Sequence, residues 1–149
     1  MEKIFIKVRS TKDITISATL TILGAVLLVL PDSTSINILG FFMLFAGLIL
    51  LMTLKSGYKD TETGDRYCKV EKYFSLDMKQ EIRSAIASAP DSINLKNENQ
   101  GTGLRMDVYY NKTIGTAFVQ LYEYIPYKYE PCTDIYQHSI CKISKYIEK

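Results

Sequence analysis

Two uncharged apolar runs, Ile14–Leu30 and Ile36–Leu54, are joined only by Pro31-Asp32-Ser33-Thr34-Ser35, and this restricts the chain more than any other feature. Neither run contains Asp, Glu, Lys, Arg or His. As helices rising ~1.5 Å per residue they would be ~25 and ~28 Å long, close to the ~30 Å hydrocarbon core of a bilayer. Lipid offers backbone amides no partner, so such runs cross it as helices. The short link then makes the pair an antiparallel hairpin. A cleaved signal peptide fits less well, because Leu28-Val29-Leu30-Pro31-Asp32 has no small-x-small site and a second run follows at once.

Charge at the flanks sets the orientation. The basic arm, Met1–Asp13, carries Lys3, Lys7, Arg9 and Lys12; Lys55 and Lys59 follow the second run, with Arg66 and Lys69 a little further on. The link has Asp32 and no Lys or Arg. Basic flanks stay on the cytoplasmic side. The expectation is a multi-pass protein of a bacterial inner membrane with both termini in the cytoplasm.

The runs also carry small and hydroxylated positions. Thr15 and Thr19 share one side and Ser17, Thr21 and Gly24 another; Gly40 and Gly47 stand among Phe41, Phe42, Met43 and Phe45. Small residues let helices approach closely in lipid. Gly24, Gly40 and Gly47 therefore serve either packing within the hairpin or contact between protomers of a homo-oligomer. With no ionisable group in either run, proton coupling and a charged selectivity ring are not expected.

Lys55–Lys149 is enough for one small domain, with 14 of the 18 Lys and Arg and 13 of the 16 Asp and Glu. That near-balance argues against binding duplex nucleic acid, which calls for a basic excess. It leaves room for a small anionic ligand held by a few focused cations. Residues 55–72 read as a linker or short hairpin around Thr63-Gly64-Asp65, and 73–149 as an α+β domain. Ser75 caps a helix over Leu76–Ala89 with Met78, Ile82, Ala85, Ile86 and Ala89 on one stripe, and Pro90 stops it. Leu104, Met106, Val108 and Tyr110 alternate with Arg105, Asp107 and Tyr109, as in a half-buried strand. Asn111-Lys112 suits a turn, Ile114–Ile125 a central strand, and Asn94–Gln100 with Gly101 and Gly103 a loop, with Ile93 and Leu95 as a short edge strand. Tyr136, Ile140, Ile143 and Ile147 suggest a final helix capped by Thr133 or Asp134. The fold class expected is thus a two-helix transmembrane hairpin plus a C-terminal α+β domain with a small antiparallel sheet and two helices.

Catalytic chemistry is sparse. His138 is the only histidine, and Cys68, Cys132 and Cys141 include no close Cys-x-x-Cys pair, so a zinc site is not expected. Three cysteines in a cytoplasmic domain imply free thiols, expected to be buried. Beside a Cys141–His138 dyad no orienting acid or oxyanion hole is evident. There is no phosphate-cradling loop; Gly101-Thr102-Gly103 is too short. Asn111-Lys112-Thr113 matches a glycosylation sequon, irrelevant in the cytoplasm. The expectation is a protein that is not an enzyme and needs no cofactor.

Nine of the 11 tyrosines lie between Tyr67 and Tyr136. Tyrosine rings stack on bases and cations grip phosphates, so Arg66, Lys69, Arg105, Lys112, Tyr127 and Lys128 are the candidate ligand-binding residues.

An N-terminal two-helix hairpin, Ile14–Leu30 and Ile36–Leu54, followed by a cytoplasmic α+β domain over Lys55–Lys149, resembles the small membrane effectors of type III CRISPR antiviral defence. That resemblance implies sensing of a cyclic oligoadenylate and perturbation of the membrane by an oligomer. Two other classes remain open: an immunity or inhibitor protein that binds a toxin or membrane subunit, and an accessory subunit without ligand.

Overall fold

The computed structural model describes residues 3–30, 34–98 and 103–147. The expected turn at Pro31-Asp32-Ser33 and the loop positions 99–102 lie outside them. The chain divides into two units: Ile6–Tyr58, and Met1–Phe5 with Lys59–Lys149. The second unit is therefore discontinuous in sequence, which the expected boundaries at 13/14, 54/55 and 72/73 did not anticipate.

The first unit is built on α1 (Thr11–Val29) and α2 (Thr34–Thr53). Ser10 and Asp13 form a capping box at the start of α1. Asp13 is 5% exposed and accepts from the Ser56 backbone N–H at 2.7 Å and the Ser56 hydroxyl at 2.6 Å, clasping the start of α1 to the segment after α2. The helices meet through their small residues. A Cβ on Gly24 would lie 2.7 Å from Leu44 Cα, and one on Gly40 2.9 Å from the Gly24 carbonyl oxygen. The hydroxyls turn back onto their own helix: Ser17 donates to Asp13 O and Thr21 to Ser17 O, both at 2.8 Å. Asn37, with its amide nitrogen toward α1, donates to Leu27 O and Leu30 O at 3.0 Å each. The small faces thus pack the hairpin against itself, and large apolar side chains point outward.

The strands are β1 (Phe5–Val8), β2 (Gly57–Asp60), β3 (Arg66–Phe74), β4 (Leu104–Asn111), β5 (Thr116–Ile125), β6 (Lys128–Pro131) and β7 (Tyr136–Ser139). They form one seven-stranded sheet in the order β1 to β6, with β7 also on β5. The sheet is larger than expected because three segments of four residues join it, at the basic arm and on either side of Cys132. β6 takes the second half of β5 (Tyr122↔Pro131) and β7 the first (Val119↔Tyr136).

On one face lie α3 (Lys79–Ser88) and α4 (Ile140–Ile147). They enclose Phe74, Ile82, Ile86, Ile93, Leu104, Met106, Val108, Val119, Leu121, Ile143 and Tyr146. Several expectations are corrected here. Leu76–Met78 is a 3-10 turn ahead of α3, and the Ser75 hydroxyl bonds to Asp77 instead of capping. Ile93 fills the core between two 3-10 turns and is not on an edge strand. The expected final helix is a strand then a helix, because 136–139 complete the ladder on β5 before α4 begins. Cys68 and Cys141 are exposed and Cys132 is half-buried, against the expectation of buried thiols.

Candidate functional site

The face of the sheet away from α3 and α4 alternates aromatic and charged side chains. Register sets Tyr73 opposite Arg105, Glu71 opposite Asp107 and Lys69 opposite Tyr109; across the next ladder Arg105 meets Tyr122 and Asp107 meets Gln120. Asp107 is 1% exposed. Lys69 Nζ lies 2.8 Å from Asp107 and 2.6 Å from Glu71, and Arg105 Nε lies 2.9 Å from Asp107 Oδ1. The Arg105–Asp107 contact is an ion pair without hydrogen-bond alignment at Nε and Oδ1. The Arg105 guanidinium sits 4.7 Å from the Tyr122 ring centre and 4.8 Å from that of Tyr129. Burial pushes the Asp107 carboxyl above its ordinary value against the pull of both cations. Glu71 goes the other way: bonds from Lys69 and Tyr73 outweigh its desolvation and hold it low.

Two cations and two carboxylates therefore neutralise one another here. Lys69 and Arg105, expected as free phosphate ligands, are structural partners of a buried acid. Leaving that acid with one cation would be costly, since a broken buried pair strands a charge. The other candidates are dispersed. Arg66 and Lys112 are exposed near one end of the sheet, where Asn111 Nδ2 donates to Arg66 O at 2.9 Å. Tyr127 and Lys128 lie at the β5–β6 turn, at the other end of β5; Tyr127 is 96% exposed with φ 76°, and Lys128 pairs with Glu130. No single site brings the six together.

A concave site does exist at the edge of the sheet, and its residues carry no sequence motif. Between β6 and β7 the chain leaves the ladder: Cys132 N–H still donates to Leu121 O at 2.9 Å, but Leu121 N–H turns to Thr133 Oγ1 at 3.0 Å. Gln120 Nε2 donates to Thr133 O at 3.1 Å, while its Oε1 accepts from Tyr122 OH at 2.7 Å. A groove of about 830 Å³ opens beside this interruption, lined among others by Lys3, Arg83, Phe118, Gln120, Thr133 and Asp134. That volume is in the range of small-molecule sites. Lys3 is anchored on Asp60 at 2.7 Å and lies 4.4 Å from the Phe118 ring centre. Arg83 is exposed on α3 and forms no ion pair among the described residues. Cys132 also lines the groove; burial raises its thiol, so it is a poor nucleophile. His138 Nε2 is engaged with Ile86 O at 2.7 Å. Among the described residues no cluster of metal-ligating side chains occurs.

The short β6 and β7, which create the groove, could have been sought in Lys128–Pro131 and Tyr136–Ser139 by their Tyr content, though four-residue strands give little periodicity. Neither a protein-family model, a curated protein nor a solved structure matches the chain.

Proposed function

We propose that the chain is a bilayer-anchored, non-enzymatic sensor: α1 and α2 span the inner membrane, and the α+β unit binds a nucleotide second messenger in the groove beside Gln120. The observation that carries the anchoring is burial. Only 17% of the apolar window of α1 and 11% of that of α2 is buried, whereas the core helix of a soluble domain would be mostly enclosed. Ile22, Val29, Phe42 and Met52 are among the side chains facing outward. In water such a surface would be an aggregation liability; in lipid it costs nothing.

Arg83 supplies charge for a phosphate, and Thr133, Asp134 and Gln137 supply donors and acceptors for a base edge. A cyclic oligoadenylate or cyclic dinucleotide combines those features. Because the small faces of α1 and α2 are spent inside the hairpin, the surface left for meeting other protomers and disturbing the bilayer bears Phe41, Phe42 and Phe45. The test is calorimetry on the full chain in detergent with each class of cyclic nucleotide. Arg83→Ala should weaken binding by about 1.5–3 kcal/mol, the worth of a hydrogen bond to a charged group. No heat with any of them from well-folded protein overturns the ligand. It would favour a protein partner instead, the reading to which the exposed Tyr124, Ile125 and Tyr127 of the β5–β6 turn point.

A further inference from the structure

We infer that the Lys3–Asp60 ion pair couples the groove beside Gln120 to both segments of chain that join the α+β unit to the hairpin, so that a ligand in the groove holds the N-terminal arm in place. This rests on the reading of that groove as the nucleotide site and adds the route by which its occupancy reaches α1 and α2.

The chain passes between its two units twice, from Phe5 to Ile6 and from Tyr58 to Lys59. Lys3 stands two residues before the first passage and Asp60 two residues beyond Tyr58, and Lys3 Nζ lies 2.7 Å from Asp60 Oδ2. One ion pair therefore ties the segment that enters α1 to the segment that returns from α2. The backbone adds to the tie, since the Thr61 N–H and the Thr61 hydroxyl both donate to Ile4 O at 3.1 Å. Asp60 is also fixed without the arm, accepting from the Glu62 N–H at 2.9 Å and the Thr63 hydroxyl at 3.3 Å. Of the two partners, the arm is the one that can leave.

The same arm borders the groove. Lys3 lines it with Phe118 and Gln120, its side chain 22% exposed. The Lys3 ammonium lies 4.4 Å from the Phe118 ring centre, and the Phe5 ring centre lies 5.7 Å from it. Two arm residues thus lean on one ring of the groove, and withdrawing the arm removes a wall of the site. The ammonium stays with Asp60 throughout, because that carboxylate is fully buried and would be stranded without it. A ligand resting against Lys3 acts by preference: it binds the seated arm better than a withdrawn one and shifts the balance by that difference. The coupling is reciprocal, so whatever seats the arm also tightens the ligand. β1 (Phe5–Val8) continues directly from the arm, and only Arg9 and the capping Ser10 separate it from α1.

Hydrogen exchange read by mass spectrometry on the full chain in detergent tests this, with cyclic di-AMP, cyclic di-GMP and cyclic tetra-adenylate as probes. A probe that gives binding heat should slow exchange at residues 4–8 by about 5- to 150-fold, the usual range of coupling between linked sites. The Asn111–Gly115 turn, which does not line the groove, should exchange as before. Lys3→Met combined with Asp60→Asn removes the pair without stranding a buried charge. It should speed exchange at 4–8 in the free protein and cut the slowing by ligand to below about fivefold. A probe whose affinity falls with Arg83→Ala, yet which leaves exchange at 4–8 unchanged, overturns the coupling while the groove stands. No binding heat from any of the three probes overturns the nucleotide reading, and the coupling with it.

Discussion

Lys69 shows how one side chain can be misread when its partner lies on another strand. In sequence it is a lysine in a basic stretch; in the sheet it is the counter-ion of a carboxylate 1% exposed. Burial pushes its ammonium down, yet the bonds to Asp107 and Glu71 outweigh that and leave it above the ordinary lysine value. The sign of the pH effect follows. A cation whose folded value exceeds its unfolded value of about 10.4 contributes stability that is whole below that pH and lost as the pH climbs through the folded value. Unfolding of the full chain in detergent, followed by circular dichroism, should therefore show stability falling above about pH 10. Lys69→Met should be less stable at pH 7 and should flatten that alkaline fall; an unaltered alkaline limb would remove Lys69 from the network. Arg105 is bound into the same cluster, so its replacement reports on folding first and would be a poor probe of ligand binding.

Individual elements were legible in proportion to how locally their stability is set. α1 and α2 stand out because composition alone identifies them, and α3 because Ile82, Ala85 and Ile86 fall on one stripe. The four-residue β1, β6 and β7 were not legible, since four residues show little period and β1 and β7 pair with strands distant in sequence, β7 with 116–119 of β5; β2 fell within the short hairpin that was one of the two readings of 55–72. The stripe Tyr136, Ile140, Ile143 and Ile147 did mark residues that touch the core. It joined the inner side of a strand to the inner side of a helix, which spacing by itself does not separate. The glycines likewise announced a close approach without naming the partner, and the partner is the other arm of the hairpin. A Cβ on Gly47 would come 2.7 Å from Thr21 N and 3.0 Å from Thr21 Cα, so even Gly47→Ala overpacks a backbone that cannot give way. Titration with sodium dodecyl sulfate should show a loss of about 1–3 kcal/mol for this variant. Its oligomer mass by light scattering should be unchanged. A normal midpoint with a smaller oligomer would place the glycine between chains.

At the scale of the whole molecule, the discontinuous unit constrains topology independently of charge. Lys3 and Phe5 precede both apolar helices, yet they belong with residues that follow them. Lys3 pairs with Asp60 at 2.7 Å, and Phe5 stacks on Tyr109 and also meets Tyr67 and Phe118. A chain threaded through a bilayer can make those contacts only if it crosses an even number of times between them, so one span with the second helix lying outside is incompatible with this packing. On the proposed reading of α1 and α2 as bilayer spans, the excess of Lys and Arg at the flanks would put both ends on the cytoplasmic side. Alkaline phosphatase, active only outside the cytoplasm, should be silent when fused after Lys149 and active when inserted between Pro31 and Ser35. Phe5→Ala should leave this pattern intact, because insertion is governed by the apolar runs and their charged flanks, while it destabilises the α+β unit by about 3 kcal/mol as a large aromatic is lost from a packed cluster. Removing residues 1–5 altogether should be worse, since Asp60, fully buried, would lose its cation. A phosphatase-active C-terminus in the wild type would overturn the topology, and a Phe5→Ala protein as stable as wild type would remove the structural argument for it.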